Sequence, residues 1–179
     1  QGVILASKVL METALRAGYD VKESEVHGMA QRGGSVECCV RFGTKIYSPL
    51  IAKGKADYVV SLELLESLRK IEFLSDEGTM IVNDFKIDPV PVQQGVLEYP
   101  QDIKDYLNAN VKNLFIAETE SVLKEIGSQK ALNIVMLGIL SNYLEFSENE
   151  WLESVKVCVK EKFVDMNIKA FLAGRNLQK

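Results

Sequence analysis

The chain has 179 residues, 47% of them apolar and 26% charged, which is the balance of a globular protein and a length that fits one ordinary domain. Lys and Arg number 21 against 25 Asp and Glu, so the net charge of -4 argues against the clustered basic surface that broad nucleic-acid binding needs, and no nucleic-acid partner is expected. The longest apolar-rich stretch, residues 134–140, falls well short of the roughly 20 residues that span a membrane, and no membrane partner is expected.

The pattern predicts alternating element types. Residues 2–17 read as a helix that Gly18 ends as a C-terminal cap. Residues 19–26 read as a strand. Residues 35–42 read as a second strand, with Val36, Cys38, Val40 and Phe42 on one face and Glu37, Cys39 and Arg41 on the other. Gly43-Thr44 is a turn, and residues 45–48 are expected to pair back as a third strand. Residues 56–60 form a short apolar strand, and Ser61 is expected to cap a helix whose Leu64, Leu65, Leu68 and Ile71 face the core. A strand over 78–83 follows. Residues 88–97 hold Pro89, Pro91 and Gly95 and read as an irregular or edge segment. A short helix over 102–107, a strand over 113–117 and a helix over 118–126, stopped by Gly127, come next.

The last third reads as all helical. Over residues 131–144, Leu132, Val135, Met136, Ile139, Leu140 and Tyr143 keep the 3.6 period, while Ile134 and Leu137 lie off it, so this helix is expected to be buried on most sides. Ser147 and Glu150 form a capping box for a helix whose Trp151, Val155, Cys158 and Val159 make one apolar stripe, and Asp165 starts a final helix. No linker or repeat divides the chain. The expected fold is α/β: a three-layer mixed sheet with helices on both faces and a helical C-terminal third, as a single domain over residues 1–179.

Adjacent Cys38 and Cys39 would point to opposite faces of a strand and would not easily ligate one ion together. With Cys158 as the third cysteine, no Cys-x-x-Cys, and His27 as the one histidine, no metal site and no iron–sulfur cluster is expected from this chain. The thiols fit small buried side chains in a reducing, cytoplasmic compartment. No targeting segment is visible, and the first residue is Gln1, so whatever precedes it is outside this reading.

Two places could carry chemistry. Gln1-Gly2 sits where a strand would hand over to a helix, and a helix N-terminus with its free N–H groups favours phosphate. The second is the segment 24–35, which joins two expected strands. It gathers His27, Met29, Gln31, Arg32 and the glycines Gly28, Gly33 and Gly34. Gly33-Gly34 permits close approach of a ligand or neighbouring chain, and the Arg32 fork suits phosphate or carboxylate. As chemistry this is an anion-contacting loop; a solvated connection with incidental charge is the plain alternative. No nucleophile–base pair is readable around His27, so no catalytic residue is assigned. Glu23 and Glu25 share a strand face and read as solvated carboxylates.

The run Ser24-Glu25-Val26-His27-Gly28-Met29-Ala30-Gln31-Arg32-Gly33-Gly34-Ser35-Val36, followed by Val40-Arg41-Phe42-Gly43, resembles the small (beta) subunit of indolepyruvate:ferredoxin oxidoreductase, which is similar to the gamma domain of the pyruvate and 2-ketoisovalerate enzymes. Gln1-Gly2-Val3 looks like the tail of that family's Gly-x-Gly-Gly-Gln-Gly turn, and Lys45 to Ile51, Ala56-Asp57 and Glu63 also match. The resemblance covers essentially the whole chain. It implies the domain III-like fold of pyruvate–ferredoxin oxidoreductase and a cofactor-free subunit, inert alone. The implied complex converts aryl 2-oxoacids and coenzyme A to aryl-acetyl-CoA and reduces ferredoxin. It further implies a large alpha partner carrying thiamine diphosphate and 4Fe-4S clusters. Gln31, Arg32, Gly33, Gly34 and His27 would face substrate or CoA, with Gln1 and Gly2 as an anion-binding turn. A stand-alone nucleotide- or CoA-binding module and a pure assembly scaffold are the two other readings that these residues fit.

Overall fold

The computed structural model describes residues 2–28 and 36–177. Its contacts gather into two compact units, one formed by Gln1–Ile51 with Glu120–Lys179 and the other by Ala52–Thr119.

The first unit opens with helix α1, Val3–Arg16, which Gly18 terminates at φ +85. A right-handed helix ends readily on such a left-handed residue, and glycine reaches it without a Cβ clash. Strands β1, Asp20–His27, and β2, Val36–Gly43, then pair antiparallel in a continuous register from Asp20↔Gly43 to His27↔Val36. Among the described residues, four further α-helices belong to the unit: α5, Glu120–Ile126; α6, Leu132–Leu140; α7, Glu148–Cys158; and α8, Val164–Asn176. A file of aromatic rings ties strand to helices. Phe42 stacks edge-on to Tyr19, Phe146 follows, and Trp151 and Phe171 close the file at centroid spacings of 5.3–5.9 Å. Trp151 and Phe171 are fully buried, each gain of this kind amounting to roughly 1.5–3 kcal/mol for a large apolar side chain.

Every residue of α6 is buried, as its two off-stripe residues led one to expect. Its tight seat against α8 depends on two glycines. A Cβ on Gly138 would lie 2.1 Å from the Phe171 carbonyl oxygen, and one on Gly174 would lie 2.0 Å from that of Val135. The capping box of α7 is present, with Ser147 and Glu150 exchanging backbone and side-chain bonds.

The second unit is a parallel sheet. Strands β3, Ala56–Ser61, β4, Leu74–Asn83, and β5, Asn113–Ala117, lie in the order β3-β4-β5. Helix α2, Leu64–Lys70, connects the first pair; α3, Val90–Gln93, and α4, Ile103–Asn110, lie in the second connection. Leu64, Met80, Val82, Tyr99, Ile103, Leu107 and Val111 form its core.

The α/β class is thus as expected, with its strands in two sheets, one antiparallel and one parallel, in place of one mixed sheet. Three local expectations change. Residues 45–48 form no strand: Arg41 Nη1 donates to the carbonyls of Ser48 and Leu50, and Ile46 N–H donates to Asp20, so side chains take the bonds a ladder would use. Glu63, not Ser61, caps α2, accepting from Glu66 N–H, while the Ser61 hydroxyl donates to the Glu63 carbonyl. Within 88–97, Pro89 and Pro91 start the single helical turn α3, because proline suits a first turn whose N–H groups lack partners anyway.

Candidate functional site

Gln31, Arg32, Gly33 and Gly34 lie outside the described residues, as does Gln1. Their flanks are described. His27 and Val36 are the last register pair of the hairpin, so β1 and β2 are hydrogen-bonded up to both ends of the intervening segment. His27 is about half exposed, and its Nε2 stands 3.2 Å from Glu25 Oε2. Gly28 is exposed.

Gly2 is the N-cap of α1, with φ +80 and ψ 29 and no side-chain cap. Its carbonyl accepts from Leu5 N–H at 3.1 Å, from Ala6 N–H at 3.2 Å and from Asn133 Nδ2 at 2.9 Å. The helix amides before Leu5 precede the first intrahelical bond, and no acidic residue lies in the first turn, so the positive end of the macrodipole is not neutralised from within α1. Asn133 is 1% exposed and its Oδ1 has no partner among the described residues. It fixes the peptide that starts the helix from 131 residues away. Sequence reading did not single it out; its one signal is an amide in an otherwise apolar helix.

Glu23, Glu25 and His27 occupy alternate positions of β1, and Cys38 stands opposite Glu25 in the register. One oxygen or sulfur from each of Glu23, Glu25 and Cys38 comes within 4.8 Å of the others. Cys39 stands opposite Ser24, one pleat further, so the two cysteines do point to opposite faces. Burial pushes the Cys38 thiol up; a hydrogen bond with the Ser7 hydroxyl opposes this, and the Glu23 and Glu25 charges add to it.

The second unit carries a polar cluster at the carboxyl ends of its parallel strands, where open α/β sheets commonly bind ligands. Glu63 is 3% exposed. Its Oε1 accepts from Tyr99 Oη at 2.7 Å and Ile87 N–H at 3.1 Å, and its Oε2 accepts from Glu66 N–H at 2.9 Å. Burial and the Glu63 carboxylate raise the Tyr99 phenol far above its ordinary value. Asn83 donates to the Leu62 carbonyl and accepts from the Thr119 hydroxyl. The Glu63 bonds tie the segment after β3 to Ile87 and Tyr99, and the Asn83 bonds tie the end of β4 to Leu62 and Thr119, so side chains brace the strand ends.

An antiparallel hairpin against helices, joined in one chain to a three-stranded parallel unit, defines an α/β protein. The family model for pyruvate ferredoxin/flavodoxin oxidoreductase matches residues 1–177, and the chain belongs to that family. It is 38% identical over 179 residues to the indolepyruvate oxidoreductase subunit IorB of Thermococcus kodakarensis, covering 97% of this chain and 89% of that protein. It is 26% identical to the pyruvate/ketoisovalerate oxidoreductases common subunit gamma of Pyrococcus furiosus, over 91% of this chain and 81% of that one. The crystal structure of a keto/oxoacid ferredoxin oxidoreductase gamma subunit from Geobacter sulfurreducens PCA shares the fold, with a TM-score of 0.70 and 22% identity over 98% of this chain and 90% of that one.

Proposed function

We propose that this chain is the small subunit of an indolepyruvate-type 2-oxoacid:ferredoxin oxidoreductase, working as one gamma-type domain over residues 1–179 in the cytoplasm. The observation that carries this reading is the 38% identity along nearly the full length of both chains with an indolepyruvate oxidoreductase subunit. The reaction joins an aryl 2-oxoacid and coenzyme A into an aryl-acetyl thioester, releases CO₂ and passes two electrons to ferredoxin. Thiamine diphosphate supplies the electron sink and 4Fe-4S clusters the electron path, both on a large partner subunit. The cysteines of this chain do not fit a cluster, which takes four thiolates: there are three, and Cys38 and Cys39 face apart.

This chain's part is enclosure. Gly2 and the free amides opening α1 receive an anionic group, a phosphate of coenzyme A. Arg32 pairs with a phosphate or with the 2-oxoacid carboxylate, Gln31 adds a polar contact, and Gly33-Gly34 lets the partner or ligand approach the backbone. His27, at the end of β1, offers a hydrogen bond from the same edge. Co-expression with the neighbouring chains tests the reading. A stable complex with a large thiamine-dependent iron–sulfur chain is expected, and Arg32→Ala should lower turnover or coenzyme A affinity while the complex persists. A chain that never retains such a partner overturns the subunit reading; unchanged kinetics in Arg32→Ala overturn the role of that residue.

A further inference from the structure

We infer that Asn133 is a positioning residue for coenzyme A: from α6 it aims the first free amide of α1 at the phosphate. The inference rests on the reading that α1 receives that phosphate, and it names the residue that sets how well it does so. Gly2 and Val3 share one trans peptide, so the Gly2 carbonyl and the Val3 N–H point in opposite directions. Three donors hold that carbonyl: Leu5 N–H at 3.1 Å, Ala6 N–H at 3.2 Å and Asn133 Nδ2 at 2.9 Å, the shortest of the three. With the carbonyl held along α1, the Val3 N–H is held outward past the helix end, where Gly2 is exposed. A donor on the carbonyl also polarises the peptide and strengthens its N–H toward an anion.

Three observations separate this role from ordinary packing. Asn133 is 1% exposed, it is the one polar side chain of α6, and its Oδ1 has no partner among the described residues. Asparagine near a helix start ordinarily bonds to its own local backbone, whereas this one reaches across to α1. A buried amide oxygen without a donor is costly, and a side chain present only to fill space would not carry that cost. Asn133 and Gly2 are also shaped to each other. A Cβ on Gly2 would lie 2.7 Å from Asn133 Nδ2 and 3.5 Å from its Oδ1, so the amide occupies the place of a side chain at residue 2. The manner of fixation matters most. A Ser or Asp N-cap would steady the turn by accepting from the opening amides, and so would occupy the groups that an anion needs. No such cap is present on α1. Asn133 steadies the same turn by donating to its carbonyl, which leaves the amides to the ligand.

The test uses the complex with the large subunit and steady-state kinetics with coenzyme A and indolepyruvate. Asn133→Asp keeps the size of the side chain and removes the donor; Asn133→Ala removes the amide. Each should raise the KM for coenzyme A by about threefold to tenfold, the worth of one hydrogen bond, with the KM for indolepyruvate and kcat little changed. A purely structural role would lower kcat through loss of folded complex and leave both KM values alone, and that result overturns the inference. Circular dichroism and gel filtration identify a variant that does not fold or assemble, in which case the other carries the test. Val3→Asp probes the underlying reading by itself: it keeps the Val3 N–H and sets a carboxylate in the first turn, where it competes with phosphate for the helix end. A raised coenzyme A KM in Val3→Asp, with none in the Asn133 variants, overturns the positioning role alone. An unchanged KM in Val3→Asp overturns the phosphate site at α1, and the role of Asn133 with it.

Discussion

At single residues, the structure shows where one side chain holds a distant segment. Gly2 combines a left-handed backbone with a missing side chain: a Cβ there would meet Asn133 Nδ2 at 2.7 Å. Gly2→Ala should therefore cost about 1–3 kcal/mol, the range for a non-glycine forced into a sparsely populated conformation. The denaturation midpoint should fall at unchanged slope, and an unaltered midpoint would remove the strain argument. Asp20 gives a pH prediction. The Ile46 N–H at 2.8 Å, its largest cause, together with Lys22 and Lys45, holds its carboxyl below the ordinary value of 3.8. A carboxyl depressed on folding stabilises above its unfolded value and loses that contribution as pH falls through its folded value. Asp20→Asn should thus be less stable than the native chain at neutral pH, with the difference closing as pH drops below about 4. Melting temperatures of both proteins across pH 7 to 2.5 measure this; a gap constant with pH would show that charge plays no part.

At the scale of elements, α6 and α8 meet through bare backbone. Gly138→Ala would push a methyl carbon to 2.1 Å from the Phe171 carbonyl, and no rotamer can relieve a clash with main chain. The helices would have to separate along a face buried throughout, so the loss should exceed about 3 kcal/mol, in the range reserved for specific core defects. Chemical denaturation of Gly138→Ala and of Gly174→Ala checks it, and a near-neutral result in both would mean the helices slide freely. What was legible in the sequence at this scale follows from locality. Strand β5, the capping box at Ser147 and Glu150, and the stop at Gly127 depend on neighbouring residues, so pattern alone reveals them. The absent strand over 45–48 and the capping of α2 by Glu63 were hidden because long-range bonds decide them: Asp20 reaches Ile46 across 26 residues, and Tyr99 reaches Glu63 across 36. The close pairing of Gly138 with Gly174 was hidden for the same reason. The candidate site divides likewise. The face shared by Glu23 and Glu25 was readable from strand alternation, whereas Cys38 opposite Glu25 needed the register, and Asn133 at Gly2 needed the tertiary fold.

At the scale of the whole molecule, a supporting subunit should betray its partner through its own stability. A partner that binds only the folded chain stabilises it by mass action, by about 2.7 kcal/mol at a free concentration one hundred times the dissociation constant. The unfolding midpoint of this chain should therefore rise on adding the large subunit, in proportion to the logarithm of its concentration. The same titration separates enclosure from attachment. Arg32 is proposed to face substrate or coenzyme A, so Arg32→Ala should keep the partner-induced shift and lose only the added shift that coenzyme A produces in the complex. An assembly role would give the reverse, a reduced shift with the partner alone and an unchanged response to coenzyme A. Differential scanning calorimetry of the native chain and of Arg32→Ala, each alone, with partner, and with partner and coenzyme A, decides between them. A native chain whose midpoint ignores the partner at every concentration would contradict the subunit reading at its root, because a partner that binds only the folded chain cannot leave it unstabilised.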